Sequence, residues 1–255
     1  CFLIVNLGRR TEKSTVQAIE DQKIFCYKIL ISLDNILINL IEPNTNHLNV
    51  LYPDLNTERK SEYYNEDTFN LLDCNTKNTR TNFALLHQNI RSILPKRDIF
   101  HSFLQSLNCK FDVISFTESW LTEDTKDLIH FNNYNAFHSF RNDGRHRGAI
   151  STYISDKYTS KILDYCTVSM PYIETLFVEI KLKNICMIIA TAYKPPSANP
   201  NQFINTLGEL IQSCNNKKAE HFILCGDFNL DIMNYDNDNN ALELLCTMNS
   251  LALLP

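Results

Sequence analysis

From Phe83 to Asn229 the chain alternates short apolar runs with polar stops, and this pattern constrains its fold more than anything else in the sequence. FALLHQNI, FDVISFTES, AFHSF, GAISTYIS, KYTSKILDY, ETLFVEIKL, NICMIIATAY and HFILCGD each have the length of a strand, and several alternate with period two. Pro95 stands where a helix could open, with Phe100, Phe103, Leu104 and Leu107 on one side of it. After KPPSANP, Phe203, Leu207, Leu210 and Ile211 make a second such stripe, and residues 241–251 read as a final helix. Many strands with a helix after some of them predict an α/β (α+β) sandwich.

The first 80 residues read differently. Residues 24–41 are apolar with mixed periodicity, which is compatible with a helix or a pair of strands, and we expect a helical segment within residues 1–41. Residues 42–80 are rich in Asn, Thr, Asp and Glu, the composition of a polar linker. The expected domain is residues 81–255. The opening CFLIV is too short for a signal-peptide core, and no stretch reaches the roughly 18 apolar residues of a membrane span.

Net charge is −5, which argues against binding nucleic acid through a broad basic face but leaves room for gripping a few phosphates through a metal. Nine cysteines include no CxxC pair, so neither a zinc ribbon nor a disulfide framework is expected. Cys109, Cys186, Cys225 and Cys246 lie in or beside apolar runs as buried thiols, which fits a reducing, intracellular setting. Cys214, His221 and Cys225 have irregular spacing and make a poor zinc set. No GxSxG elbow and no glycine-rich phosphate loop occurs.

The polar residues at the strand ends form a set: Gln88-Asn89, Thr117-Glu118-Ser119-Trp120, Tyr193-Lys194-Pro195-Pro196 and Gly226-Asp227-Phe228-Asn229. Singly each is bland. Asn89 would serve as a helix cap, Glu118 as a solvated carboxylate, Tyr193 as a rim aromatic, and Asp227 and Asn229 as turn residues. At one mouth between two sheets they would suit phosphodiester hydrolysis. Glu118 and the Asn89 carbonyl are hard oxygen ligands for Mg²⁺, Asp227 can take a proton from water, and Asn229 and Tyr193 can donate to phosphate oxygens.

The order HQNIRSILPK, FDVISFTESWL, RNDGRHRGAISTYI, TAYKPP and ILCGDFNLD resembles the endonuclease/exonuclease/phosphatase superfamily. More narrowly, it resembles the apurinic-type endonuclease domain of non-LTR, LINE- or jockey-like retrotransposons, over residues 83–255. The resemblance implies a four-layer sandwich of two mixed β-sheets flanked by helices. It implies Mg²⁺ (Mn²⁺ as an alternative) held mainly by Glu118 with Asn89 in the metal and phosphate site. Tyr193 would lie on the scissile phosphate, Asp227 would activate water, and Asn229 would orient the phosphate. It implies DNA as partner, with no membrane and no small-molecule cofactor, and a nuclear location for a working copy. Arg147 matches a basic position that would touch DNA, and it also reads as an ordinary surface arginine.

The match departs from the family at three places. The family closes its site with a Ser-Asp-His motif on a late strand, and no such motif follows Asn229, the last histidine being His221. The expected sandwich therefore lacks its last strands. Gly148-Ala149 replaces a longer glycine run, and no reverse-transcriptase domain follows. Two readings stand: a DNA-nicking domain that supports target-primed reverse transcription, or a truncated, catalytically silent or domesticated remnant that at most binds nucleic acid or protein.

Overall fold

The structure is a computed structural model that describes residues 83–107, 109–141, 147–182, 185–215, 219 and 221–230, together with the backbone of three strands at 2–6, 26–27 and 252–254. In chain order the strands are β1 (Phe2–Asn6), β2 (Cys26–Tyr27), β3 (Leu85–Asn89), β4 (Val113–Thr117), β5 (Tyr134–Ser139), β6 (Ile150–Ser155), β7 (Thr159–Ile162), β8 (Ser169–Met170), β9 (Ile173–Leu182), β10 (Ile185–Tyr193), β11 (His221–Asp227) and β12 (Ala252–Leu254). Among the described residues two α-helices accompany them, α1 (Arg97–Ser106) and α2 (Pro200–Asn215).

The strands form two mixed sheets. One runs β12-β1-β11-β10-β9-β7, with β8 also on β9; the other runs β2-β3-β4-β6-β5. Each contains one parallel pair joined through a helix: β3–α1–β4, with Asn89 opposite Thr117, and β10–α2–β11, with Tyr193 opposite Asp227. A parallel pair needs such a crossover, and the helix then covers one face of its sheet. The remaining pairs of the described sheets are antiparallel apart from β1, which runs parallel to both β11 and β12.

Three apolar clusters separate four layers. Phe100 of α1 packs on Leu86, Ile114, Phe116 and Phe131. Leu85, Val113 and Ile150 meet Leu176, Val178, Ile189 and Ile223 between the sheets. Phe203, Leu207 and Ile211 of α2 cover Phe177, Ile188, Leu224 and Phe228. Successive residues of β11 therefore point to different cores, Phe222 and Leu224 towards α2, Ile223 and Cys225 towards the other sheet. This explains the unbroken apolar runs, because a strand buried on both faces has no solvent side to mark with polar residues. Polar groups also cross between the sheets, where Ser115 Oγ lies 2.7 Å from Thr191 Oγ1 and 2.9 Å from Thr152 Oγ1.

Within residues 83–230 the elements expected from the sequence occur at their places, with local differences. Pro95 falls in a 3₁₀ turn, Leu94–Lys96, that leads into α1. α2 begins at Pro200, and Asn199 caps it by accepting the Gln202 N–H at 3.1 Å. KYTSKILDY is a strand only to Ile162, after which Asp164–Cys166 turns as 3₁₀. Of residues 24–41, read as a helix or a pair of strands, Cys26–Tyr27 is a strand and the rest lies outside the described residues, as does the helix expected over 241–251. Among the described residues no helix is long and apolar enough to cross a membrane.

Candidate active site

In sheets built on parallel pairs, ligands gather in the crevice beyond the carboxyl ends of those strands. Four expected site residues occupy such ends, and the fifth follows at once. Asn89 ends β3, Glu118 follows β4, Tyr193 ends β10, Asp227 ends β11 and Asn229 comes two residues later. The parity that points Leu85 and Ile223 between the sheets carries His87, Asn89, Cys225 and Asp227 to the same side.

The centre of the site is one amide group. Asn89 Nδ2 donates to Glu118 Oε1 at 2.8 Å and to Asp227 Oδ2 at 2.6 Å, so an amide from one sheet bridges carboxylates from both. The opposite amide orientation would aim an oxygen at two carboxylates, so charge fixes the rotamer. The Tyr193 hydroxyl donates to Glu118 as well, and burial followed by the charges of Glu118 and Asp227 raises its pKa well above the ordinary tyrosine value. Asp227 is buried, and its Oδ1 accepts the Asn229 N–H at 3.2 Å. Asn229 Nδ2 donates to the Lys194 carbonyl at 2.8 Å, while the Lys194 N–H donates to the Asp227 carbonyl at 3.0 Å. The loops after β10 and β11 therefore brace each other.

Backbone strain concentrates here. Glu118 (φ 51°), Trp120 (φ 56°), Ala149 (φ 67°), Asn229 (φ 45°), Arg91 (φ 43°) and Ser92 (φ 69°) all occupy the left-handed region. Each such non-glycine residue costs on the order of 1–2 kcal/mol and persists only where its surroundings fix it. Gly226 has a different reason to be glycine. A Cβ there would lie 1.9 Å from the Ala192 carbonyl oxygen on the neighbouring strand, so the start of the GDFN turn admits no side chain.

The donors fit a hard divalent cation. Glu118 and Asp227 converge on the positive end of a single dipole, and Asn89 Oδ1 is buried with no hydrogen-bond partner. A buried carbonyl without a donor is costly in a finished interior and is the kind of oxygen that Mg²⁺ takes. Among the described residues no three His, Cys, Asp or Glu side chains gather as a metal cluster, so a cation here would draw further ligands from phosphate or water. The zinc set disfavoured from the sequence is not assembled: Cys225 Sγ faces Thr191 at 3.6 Å, while Cys214 Sγ lies 2.8 Å from Cys166 Sγ.

Arg147 lies outside this centre. It is exposed, and its guanidinium stacks 5.4 Å from the Trp120 ring, two residues beyond Glu118. Three charged residues near the site went unnoticed in the sequence. Lys96 donates to the carbonyls of Ile90 and Arg91 and feels the charge of Glu118. Glu174, buried opposite Tyr193 across β9 and β10, is ion-paired with Arg141. Burial raises the Glu174 carboxyl above its ordinary value against the pull of Arg141.

The family model described as the endonuclease/exonuclease/phosphatase family matches residues 68–243. The chain belongs to that family. No curated protein matches it. Among solved structures, the family fold is similar to the endonuclease domain of TRAS1, a telomere-specific non-LTR retrotransposon, at 15% identity and TM-score 0.47, covering 65% of this chain and 70% of that one. It is also similar to the Xenopus laevis APE2 catalytic domain at 14% identity and TM-score 0.44, covering 64% of this chain and 66% of that one. A humanised D. rerio TDP2 aligns at 17% identity and TM-score 0.44, covering 58% and 63%. The chain thus spans about two thirds of the length of these endonuclease/exonuclease/phosphatase structures.

Proposed function

We propose that this endonuclease/exonuclease/phosphatase domain hydrolyses a phosphodiester of DNA, nicking one strand. The observation that carries the reading is the Asn89 amide, which brings Glu118 of one sheet and Asp227 of the other to a single point. Glu118 and the Asn89 carbonyl would hold Mg²⁺, or Mn²⁺, which when bound offsets the charge that grows on the phosphate. Asp227 takes the proton from an attacking water, its two oxygens oriented by Asn89 and the Asn229 N–H. Tyr193, kept protonated, turns its hydroxyl from Glu118 to donate to a phosphate oxygen once substrate is bound, and Asn229 orients the same group. Arg147 on Trp120 supplies a cation and a flat ring beside the cut.

On this reading residues 81–255 carry the chemistry, residues 42–80 are a linker, and the substrate is nuclear DNA. The ordered motifs further support descent from a non-LTR retrotransposon, in which the nick exposes a 3′-hydroxyl that primes reverse transcription. The test is incubation of the full chain with supercoiled plasmid and Mg²⁺. Open circles should form, and should disappear with EDTA or in Asp227→Ala. Glu118→Ala should weaken Mg²⁺ binding, whereas Asp227→Ala should largely spare it. A folded chain that leaves the plasmid supercoiled, or nicks it equally in EDTA, overturns the proposal.

A further inference from the structure

Glu174 is a fully buried carboxylate that the proposed chemistry does not use, and two strained segments meet above it. One of its oxygens accepts the Ala149 N–H at 2.7 Å, and the other is paired with Arg141. The Ala149 carbonyl in turn accepts the Ser119 N–H at 3.0 Å and the Ser119 hydroxyl at 3.3 Å, and the Gly148 carbonyl accepts the Trp120 N–H at 2.8 Å. The two residues after Glu118 are therefore held by a loop that is itself held by Glu174. On their other side, the N–H groups of Ile90, Ser92 and Ile93 donate to the carbonyls of Thr117, Glu118 and Ser119. The segment that carries Glu118 is gripped from both flanks.

We propose that Glu174 is a positioning residue for Glu118: it fixes the Gly148-Ala149 loop, and that loop fixes the left-handed backbone of Glu118 so that its carboxylate meets Asn89 and Tyr193. Gly148 reports how closely the parts fit. A Cβ there would lie 2.7 Å from both Arg141 Nε and Glu174 Oε1, so only glycine lets the loop lie directly on the ion pair. Glu118, Trp120 and Ala149 are non-glycine residues of this assembly with positive φ, and they should relax towards ordinary backbone once the hydrogen bonds that hold them are removed. Stability alone gives a buried ion pair little reason to exist, since well-packed apolar groups usually replace one without loss. Holding a strained ligand in place gives it one.

The experiment rests on the metal reading above in one arm only. Mn²⁺ binding is measured on the full chain as wild type, Glu174→Ala, Glu174→Gln, Gly148→Ala and Glu118→Gln, with amide hydrogen exchange on the same proteins. Glu174→Ala should weaken Mn²⁺ about 10- to 100-fold, as loss of a group supporting a ligand does, and should speed exchange at Ser119 and Trp120 while β4 keeps its protection. Glu174→Gln retains an acceptor for Ala149 and should recover most of both. Gly148→Ala disturbs the loop from above and should reproduce the loss, which keeps the test decisive if Glu174→Ala fails to fold. Wild-type exchange at Ser119 and Trp120 in folded Glu174→Ala or Gly148→Ala overturns the positioning role. Unchanged Mn²⁺ affinity in Glu118→Gln overturns the metal reading instead, and the exchange arm still judges Glu174.

Discussion

Lowering the pH should weaken this protein through one histidine beneath the site. His87 lies two residues before Asn89 and is fully buried, with only Thr117 Oγ1 near its Nε2 at 3.5 Å and with no partner for Nδ1. Burial without a counter-charge pushes its pKa down from 6.5 to about 3. The sign follows from proton counting. Below pH 6.5 the unfolded chain binds a proton at His87 that the native state refuses, so stability is full above pH 6.5 and falls as pH drops towards 3. Each unit in that window costs about 1.4 kcal/mol, so the step from pH 8 to pH 5 removes roughly 2 kcal/mol through this residue. For a chain of this size that is about 4–8 °C of melting temperature. Urea unfolding of wild type and His87→Gln at pH 8 and pH 5 isolates the effect, because every other titrating group is common to both. His138, lowered to about 4 chiefly by burial, then cancels from the comparison. His87→Gln should lose about 2 kcal/mol less than wild type across the step. Equal losses in the two proteins would refute the argument.

Three other outcomes are expected. Gly226→Ala should destabilise by more than about 3 kcal/mol in chemical denaturation, since the new methyl would overlap the Ala192 carbonyl oxygen in rigid backbone. Tyr158→Phe removes a hydroxyl that donates to Asp112 Oδ1 at 3.0 Å and should cost about 1–2 kcal/mol, while the Ala84 N–H, which donates to Oδ2 at 2.6 Å, keeps the carboxylate partly satisfied. Cys166 and Cys214, buried with their sulfurs 2.8 Å apart, should resist alkylation by iodoacetamide in the folded protein and react only once urea unfolds it, as read by peptide mass mapping; ready labelling of the folded chain would contradict their burial.

The candidate site residues were legible because each stands where an apolar run stops. In a sheet buried on both faces, a polar residue at the end of a run is at the rim, and Asn89, Glu118, Tyr193 and Asp227 are all of this kind. Asn229 was legible from its two-residue offset in the turn. Glu174 was hidden for the opposite reason. It opens the run ETLFVEIKL, where it reads like Glu179 farther along, a carboxylate that is also buried but pairs with the exposed amines of Lys161 and Lys181. Only the fold reveals that Arg141, 33 positions earlier, turns inward to meet it. Ser115, Thr152 and Thr191 were equally invisible, because a hydroxyl within a strand carries no mark of whether it faces water or another sheet. The pairing of Phe2–Asn6 with β11 is a contact across most of the chain, and local periodicity holds no information about it.

The bond from Asn89 to Asp227 joins residues 138 positions apart on different sheets. Neither half of the sandwich holds the candidate site alone; it is a seam. Under gentle denaturant the two sheets need only slide or part slightly for Glu118 and Asp227 to lose register, before either sheet unravels. Activity should therefore vanish ahead of secondary structure, and refolding should restore it last, when the halves dock. On the proposed function, such a protein would report its own integrity: a chain that cuts would be one whose two sheets are properly joined.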